Sequence, residues 1–363
     1  MRSDSIDSKD IRADVARLDH FVRAALSATG ADEPTAEAAT RAMMHGSLLG
    51  VDSHGVRLLG HYIRVLEGGR VNRTPKMAIA GGFGAAAVLD ADHGHGALAA
   101  YEAIGHAIRL AENIGIGAVS IRNSSHFGPA GAYAIKAANA GMIGIAFCNS
   151  DAFVRLHGGA HRFHGTNPIS CAVPVSGQRP WLLDMATSAI PYNRVQLYRS
   201  LGKKLPEDVA SMANGVDTAD PTDVEMLAPL GGEFGFKGAG LAGLVEIFSS
   251  VLSGMRPSAD LLPMGGPDIA TPRGLGAFVM ALKPGAFLEP EKFDAGMKHY
   301  LARLRSSPTR AGETVMAPGD REWAEYDRRT AKGVPIDPAT AESFIDLATR
   351  FGLELPFETH DIP

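Results

Sequence analysis

GGEFGFKGAGLAGLVEIFSSVLSG, residues 231–254, carries the spacing G-x-G-x-x-G at Gly238, Gly240 and Gly243. In a dinucleotide-binding turn such glycines follow a hydrophobic strand and open a helix, which lets backbone N–H groups meet a pyrophosphate. Here the residues before Gly238, GGEFGFK, read as a loop. A helix does follow, and Asp260 lies 20 residues beyond Gly240, but the strand is missing. A near match at 82–87, GFGAAA, fails the other way, because a strand follows it where a helix is required. With 42 glycines in 363 residues, such spacings arise readily by chance. The stretch therefore reads as a helix start packed closely through small residues. Its turn offers N–H groups, and Lys237 adds a positive charge for a phosphate or another part of a cofactor.

The rest of the composition narrows the class. The chain is 45% hydrophobic and 21% charged, the balance of a soluble globular protein with a sizeable core. Its net charge is −5 and it has no basic run, so no nucleic-acid partner is expected. MRSDSIDSKD at the N-terminus is polar, without a signal-peptide core, and no apolar run reaches membrane-spanning length. No membrane association is expected. Cys148 and Cys171 have neither metal nor redox spacing, which points to a reducing cytoplasm.

Periodicity organises the chain. Ile11, Val15, Leu18, Val22 and Leu26 recur at helical spacing up to Gly30. A second helix opens at DEPT, and a third spans SHGVRLLGHYIRVLEGG. From about residue 85 the reading becomes strand AVLDAD, helix GALAAYEAIGHAIRLAENIG, strand GAVSIRN, helix PAGAYAIKAANA and strand MIGIAFCN. This β-α-β-α-β order favours parallel strands. Strands follow at ISCAVPV, PWLLDMA and GAFVMALKP, with long surface loops expected over 200–235. EKFDAGMKHYLARLRSS reads as a helix, and the last helix opens at DPAT with Asp337 as cap.

Ligands collect beyond the carboxyl ends of parallel strands. Asn123-Ser124-Ser125-His126, Asn149-Ser150, and Asp184 with Thr187-Ser188 all stand just past predicted strands. SSHFGPAGAYA adds a glycine turn opening a helix, a place for a phosphate. In DSHG, Asp52 or Ser53 is placed to cap the following helix, whose positive end would lower the His54 pKa. HGGAHRFH, residues 157–164, holds three histidines. Its glycine pair opposes a helix, and no carboxylate or cysteine completes a ligand set, so no metal is expected.

Five segments in this order, DSHGVRLLGHY, NSSHFGPAGAY, GTNPIS, LDMATSAI and FKGAGLAGLVEIFSSVLSG, resemble the malate/L-lactate dehydrogenase family. That family includes sulfolactate and ureidoglycolate dehydrogenases, diketogulonate reductase and cyclic imino acid reductases. The resemblance implies a mixed α+β fold with a non-Rossmann NAD(P)-binding domain over 79–309. A helical subdomain would be built from both chain ends, 1–78 and 310–363. It implies NAD or NADP as cofactor, a small-molecule acid substrate and a homodimer. The activity implied is hydride transfer between a 2-hydroxy acid and a 2-oxo acid, with a histidine acid/base. Cyclic imino acid or N-alkyl amino acid reduction on the same scaffold is the alternative. A non-catalytic cofactor-binding protein is a more distant one.

Position by position, the resemblance makes His54 or His126 the proton carrier, with Ser53 beside the former. It assigns His126, Phe127, Gly128, Pro129, Ala130, Ser150, Asp184, Met185, Ala186 and Lys237 to the cofactor, with Gly319 and Asp320 as a looser match. Tyr62 and Thr166 fall at substrate positions. Two departures stand out. Many members carry an arginine four residues after the DSHG histidine, where this chain has Leu58. Arg57 stands one residue early, turned by about 100° on a helix. After DMATS, some members have an aspartate completing a Ser-His-Asp relay. Arg194 occupies that position here, suited instead to an acidic substrate group. Arg57 and Arg194 are thus the candidate carboxylate partners.

Overall fold

In a computed structural model, residues 11–358 are described. Residues 1–10 and 359–363, the outer ends of the expected helical subdomain, lie outside that range. The chain opens with strand β1 (Ile11–Ala13), then helices α1 (Val15–Ala28), α2 (Glu33–Leu48) and α3 (Leu59–Glu67). Ile11 therefore belongs to a strand, and the helix begins only after Asp14, whose carboxylate accepts from the Ala16 and Arg17 N–H groups. Asp32 caps α2 in the same way through Thr35.

The middle of the chain runs β2 (Ala78–Phe83), β3 (Ala86–Asp90), α4 (Gly96–Ile114), β4 (Ile116–Ser124), α5 (Gly131–Asn139) and β5 (Ile143–Cys148). Short strands β6 (Val154–Arg155) and β7 (Arg162–His164) precede β8 (Ile169–Val173) and β9 (Trp181–Met185). Helix α6 (Tyr192–Ser200), β10 (Ala210–Ser211) and β11 (Met226–Leu227) come next. Helix α7 (Phe236–Glu246) continues as a π-helical turn over Ile247–Val251. Then follow β12 (Leu275–Leu282), α8 (Pro290–Arg305), α9 (Asp320–Lys332), β13 (Val334–Ile336) and α10 (Pro338–Phe351), the last capped by Asp337.

The main sheet is mixed α+β in character, with strand order β2-β3-β4-β12-β5-β8-β9. Only β3 and β4 are parallel neighbours in it. Strands β4 and β5 do run in the same direction, as the β-α-β-α-β order predicts. However, β12, arriving from far along the chain, inserts antiparallel between them. Alanine-rich α4 and α5 pack side by side on one face. The approach is close: a Cβ at Gly117 would lie 2.0 Å from the Ala107 carbonyl. The π-helical turn covers the other face near β12, where Phe147, Phe248 and Phe278 cluster.

A second core joins α1–α3 to β13 and α10, drawing residues from Ile11 to Val71 and from Val334 to Phe357. β1 pairs with β13, fastening the two ends of the chain together. Residues 200–235 are not simply surface loops. Val154, Ile190, Val195, Leu205, Ala210, Val224 and Leu227 form a small core under the sheet β10-β11-β6-β7. Among the described residues no helix is long and apolar enough to cross a membrane, and no cluster of three or more His, Cys, Asp or Glu side chains is placed to hold a metal.

Candidate active site

Strands β4, β5 and β9 run in one direction, so Ser124, Cys148 and Met185 end at one sheet edge. The three polar groups singled out in the sequence therefore do share an edge. The DSHG turn reaches this edge from the helical half. His54 and His126 stack there with ring centroids 5.6 Å apart and planes at 23°. The Ser53 hydroxyl lies 2.8 Å from His54 Nδ1. The Tyr62 hydroxyl lies 2.9 Å from His126 Nδ1. His95 sets its edge against the Tyr62 ring, 4.3 Å between centroids, and its Nδ1 accepts from the Ala97 N–H.

Burial keeps these imidazoles neutral. It pushes His54 down to about 4 and His95 to about 3. His126 lies well below the ordinary histidine value, first through burial and then through His54, His61 and the Arg273 guanidinium. Burial raises the Tyr62 phenol far above its usual range, so it stays protonated. With Tyr62 donating, His126 Nδ1 accepts and Nε2 carries the proton.

The cause of the His54 shift differs from the one expected. His54 sits in a short 3₁₀ turn, Asp52–His54, and neither Asp52 nor Ser53 caps a helix. Asp52 instead pairs with the buried guanidinium of Arg329 on α9. Arg329 also donates to the Ser47 carbonyl at 2.6 Å, and the Ser47 hydroxyl accepts from the Val56 N–H at 2.9 Å. The far end of the chain thus clamps the turn that carries His54.

Beyond His126, residues Phe127 to Ala130 form the entry to α5. The Phe127 carbonyl accepts from the Tyr133 hydroxyl, and Gly128 takes a left-handed backbone, φ 77°. Asp184 Oδ2 accepts from the Gly131 N–H at 2.9 Å. Burial raises its carboxyl to about 7, although the Gly131 N–H acts in the opposite sense. At the β5 and β8 ends, Ser150 Oγ accepts from the Thr166 N–H at 3.2 Å. The Thr166 carbonyl accepts from the backbone and hydroxyl of Thr187.

The remaining sequence candidates make no hydrogen bond or ring contact with the histidine pair among the described residues. Arg57 and Arg194 are exposed. Lys237 is exposed too, its ammonium 5.3 Å above the Phe234 ring. Gly319 packs on Leu182 of β9, and Asp320 pairs with Arg305. Met185 pairs with Ile169 across the sheet, and Ala186 follows it at the edge. The glycines at 238–243 lie inside α7 with no strand before them. A Cβ at Gly238 would come within 2.3 Å of the Leu230 carbonyl, whereas Gly240 and Gly243 face open space. Close packing therefore explains one of the three.

The sequence reading missed Glu246, a hub beneath the edge. Its carboxylate accepts from Asn149 (3.2 Å), Asn167 (2.8 Å), and the backbone and hydroxyl of Ser258 (both 2.6 Å). It ties α7 to the strand ends. A lone acid inside LAGLVEIFSSV was the available signal. Arg329, Asp151 and Arg273 left no local signal, because their partners are distant in sequence.

The edge fits the head group of a nicotinamide. The half-buried hydroxyls of Ser150 and Thr166, at the sheet edge, could donate to and accept from a carboxamide. Lys237 stands exposed.

The relatives make this an oxidoreductase acting on CH–OH groups. The chain belongs to the malate/L-lactate dehydrogenase family, whose sequence model matches residues 13–344. It is 33% identical over 357 residues to a malate dehydrogenase of Pyrococcus abyssi, covering 96% of this chain and 97% of that one. The solved malate dehydrogenase of Pyrococcus horikoshii OT3 superposes with a TM-score of 0.88 at 31% identity, over 97% and 99% of the two chains. The delta1-piperideine-2-carboxylate reductase of Pseudomonas syringae gives a TM-score of 0.82 at 26% identity, over 93% and 99%.

Proposed function

We propose that this protein interconverts a 2-hydroxy acid and a 2-oxo acid, with His126 moving the proton at the substrate oxygen. A nicotinamide cofactor, NAD or NADP, supplies or takes the hydride when bound. The observation that carries the reading is the Tyr62–His126 hydrogen bond, 2.9 Å long, at an edge shared by three strand ends. Tyr62 orients the imidazole. In oxidation the phenol oxygen turns to accept from Nδ1–H, and the neutral ring takes the hydroxyl proton at Nε2 and becomes imidazolium. In reduction that imidazolium, charged by a proton from solvent, gives Nε2–H to the carbonyl oxygen as the hydride reaches carbon and returns to the neutral ring. His54 stacks against His126 and keeps water and charge away from that ring.

The cofactor lies against residues 126–130, Ser150, Asp184–Ala186 and Lys237, with Gly319 and Asp320 at the margin. It uses no G-x-G-x-x-G turn, and so binds outside the Rossmann plan. Its domain spans 79–309, and the helical subdomain takes both chain ends. A second copy of the chain completes a cytoplasmic homodimer. Leu241, Leu244, Ile247 and Val251 support this as an exposed apolar stripe along α7, with Val251 67% exposed. Sedimentation of the purified protein should give twice the monomer mass.

The test is turnover of 2-hydroxy acids, 2-oxo acids and cyclic imines with each cofactor, followed by NAD(P)H absorbance. Oxidation of at least one 2-hydroxy acid is expected. The structural likeness to a piperideine-carboxylate reductase favours a second reading, reduction of a cyclic or N-alkyl imine. Arg194 stands where an aspartate relay would be, which counts against it. Turnover of imines alone would reverse the order of the two.

A further inference from the structure

A cavity of about 430 Å³ is walled by His93, Asn123, Met255, Arg256 and Arg273. It shares two loops with the site: Asn123 stands three residues before His126, and His93 two before His95. Both wall residues adopt left-handed backbones, φ 52° for Asn123 and 56° for His93. Non-glycine residues hold such conformations where the surrounding structure imposes them, commonly at sites. Asn123 is fixed by two hydrogen bonds to the Asp90 carboxylate.

Arg273 enters from the start of β12 and is 3% exposed. Its Nε donates to the Leu262 carbonyl at 2.8 Å, and its Nη2 pairs with Asp151, the residue after Ser150. A guanidinium carries five N–H donors, and neither of those on Nη1 has a protein partner among the described residues. Arg70, also 3% exposed, adjoins this region. Its Nη1 donates to the Met264 carbonyl, while Nε and Nη2 have no partner among the described residues. Arg256 stands exposed at the rim. The nearby acids are Asp151, paired with Arg273, Asp90, held by Asn123 and Arg122, and the exposed Asp268. The positive charge of Arg273 is felt at His126 and His61.

We propose that this cavity receives the second acidic group of the substrate, and that Arg273 selects a dianionic 2-hydroxy or 2-oxo acid over a monoanionic one. The inference rests on the 2-hydroxy acid reading of the site. A carboxylate or sulfonate one or two carbons from the reacting carbon would take the unspent Nη1 donors, a charge-assisted bond in a desolvated place. Arg57 and Arg194 are exposed and offer no such desolvated place.

The experiment compares kcat/KM for (S)-malate and L-lactate in the wild type, Arg273→Met, Arg273→Lys and Arg256→Ala. In Arg273→Met the malate-to-lactate ratio should fall ~100-fold, the scale for losing one partner of a buried charged pair. Arg273→Lys should restore part of it. Equal losses on both acids, or an unchanged ratio, overturn the proposal. Because Arg273→Met breaks a buried ion pair and so threatens folding, Arg256→Ala at the rim provides a second arm, with an expected drop of about threefold in the same ratio. A binding arm is independent of turnover: malonate should raise the wild-type Tm more than acetate does, and Arg256→Ala should shrink that gap. If the wild type turns over no 2-hydroxy or 2-oxo acid with either cofactor yet malonate stabilises it selectively, the function reading fails and the subsite stands. No difference between malonate and acetate sinks the subsite, whatever the activity.

Discussion

His54 and His126 share one site but are held in different ways. His54 takes its hydrogen bond from Ser53, the adjacent residue, and its turn is clamped through Asp52 by Arg329. His126 takes its bond from Tyr62, 64 residues away, with the His95 ring behind the phenol. The Ser53 contact is local, so it does little to fix the ring against the rest of the site. The Tyr62 contact exists only when helix α3 is docked on the sheet edge. It fixes both the ring and its tautomer. A group that must deliver a proton to a defined point needs the second kind of support.

The sharpest way to break this comparison is to remove each ring. His126→Ala should lower kcat by about 10³-fold, the usual scale for a general acid/base. His54→Ala should lower it only about tenfold, since His54 acts on the neighbouring ring and not on the substrate. Reversed sizes would hand the proton to His54 and make Tyr62 a bystander.

Removing the supports gives smaller effects. Tyr62→Phe should reduce kcat about tenfold at nearly unchanged KM, because the bond acts on orientation and tautomer in the transition state. It should also change the pH profile of kcat, which a purely packing role would not do. Stability should fall by about 1 kcal/mol for the lost hydrogen bond. Ser53→Ala should leave kcat within about threefold of the wild type. A larger loss for Ser53→Ala than for Tyr62→Phe would invert the assignment.

The same contrast between local and distant support explains what the sequence disclosed. Caps are local, so Asp32 and Asp337 were legible from DEPT and DPAT. The strand ends carrying Ser124, Ser150 and Asp184 were legible because hydrophobic runs stop there. Their shared edge followed from strand direction, which the β-α-β order sets correctly for β4 and β5. Sheet order was not legible. Nothing near GAFVMALKP says that it inserts between those two strands, because its pairing partners are far away in the chain, the nearest being Cys148 opposite Ala277. The Asp52–Arg329 clamp was hidden for the same reason. Glycine spacing misled in a different way: at 238–243 only Gly238 is required by contact, and the pattern comes from an apolar helix with open flanks.

Asp184 offers the finest probe of the two histidine loops, because it supports only one of them. It accepts from the Gly131 N–H just past His126, and burial raises its carboxyl from 3.8 to about 7. In the unfolded chain the group loses its proton near pH 4, while the folded protein keeps it until about pH 7. Across that window the unfolded state binds fewer protons, so stability falls as pH rises, and the full penalty is present above pH 7. Asp184→Asn cannot ionise, yet its amide oxygen can still accept from Gly131. The variant should therefore match the wild type near pH 4 and exceed it by about 1–2 kcal/mol at pH 8. The buried histidines work in the opposite sense. His45 and His54, depressed to about 4, remove stability as pH falls from about 6.5 toward 4. That contribution is common to both proteins and cancels in their difference. Denaturant unfolding of the pair at several pH values reads the remainder. A flat difference would show that Asp184 ionises freely, leaving Tyr62 as the main support of the His126 loop.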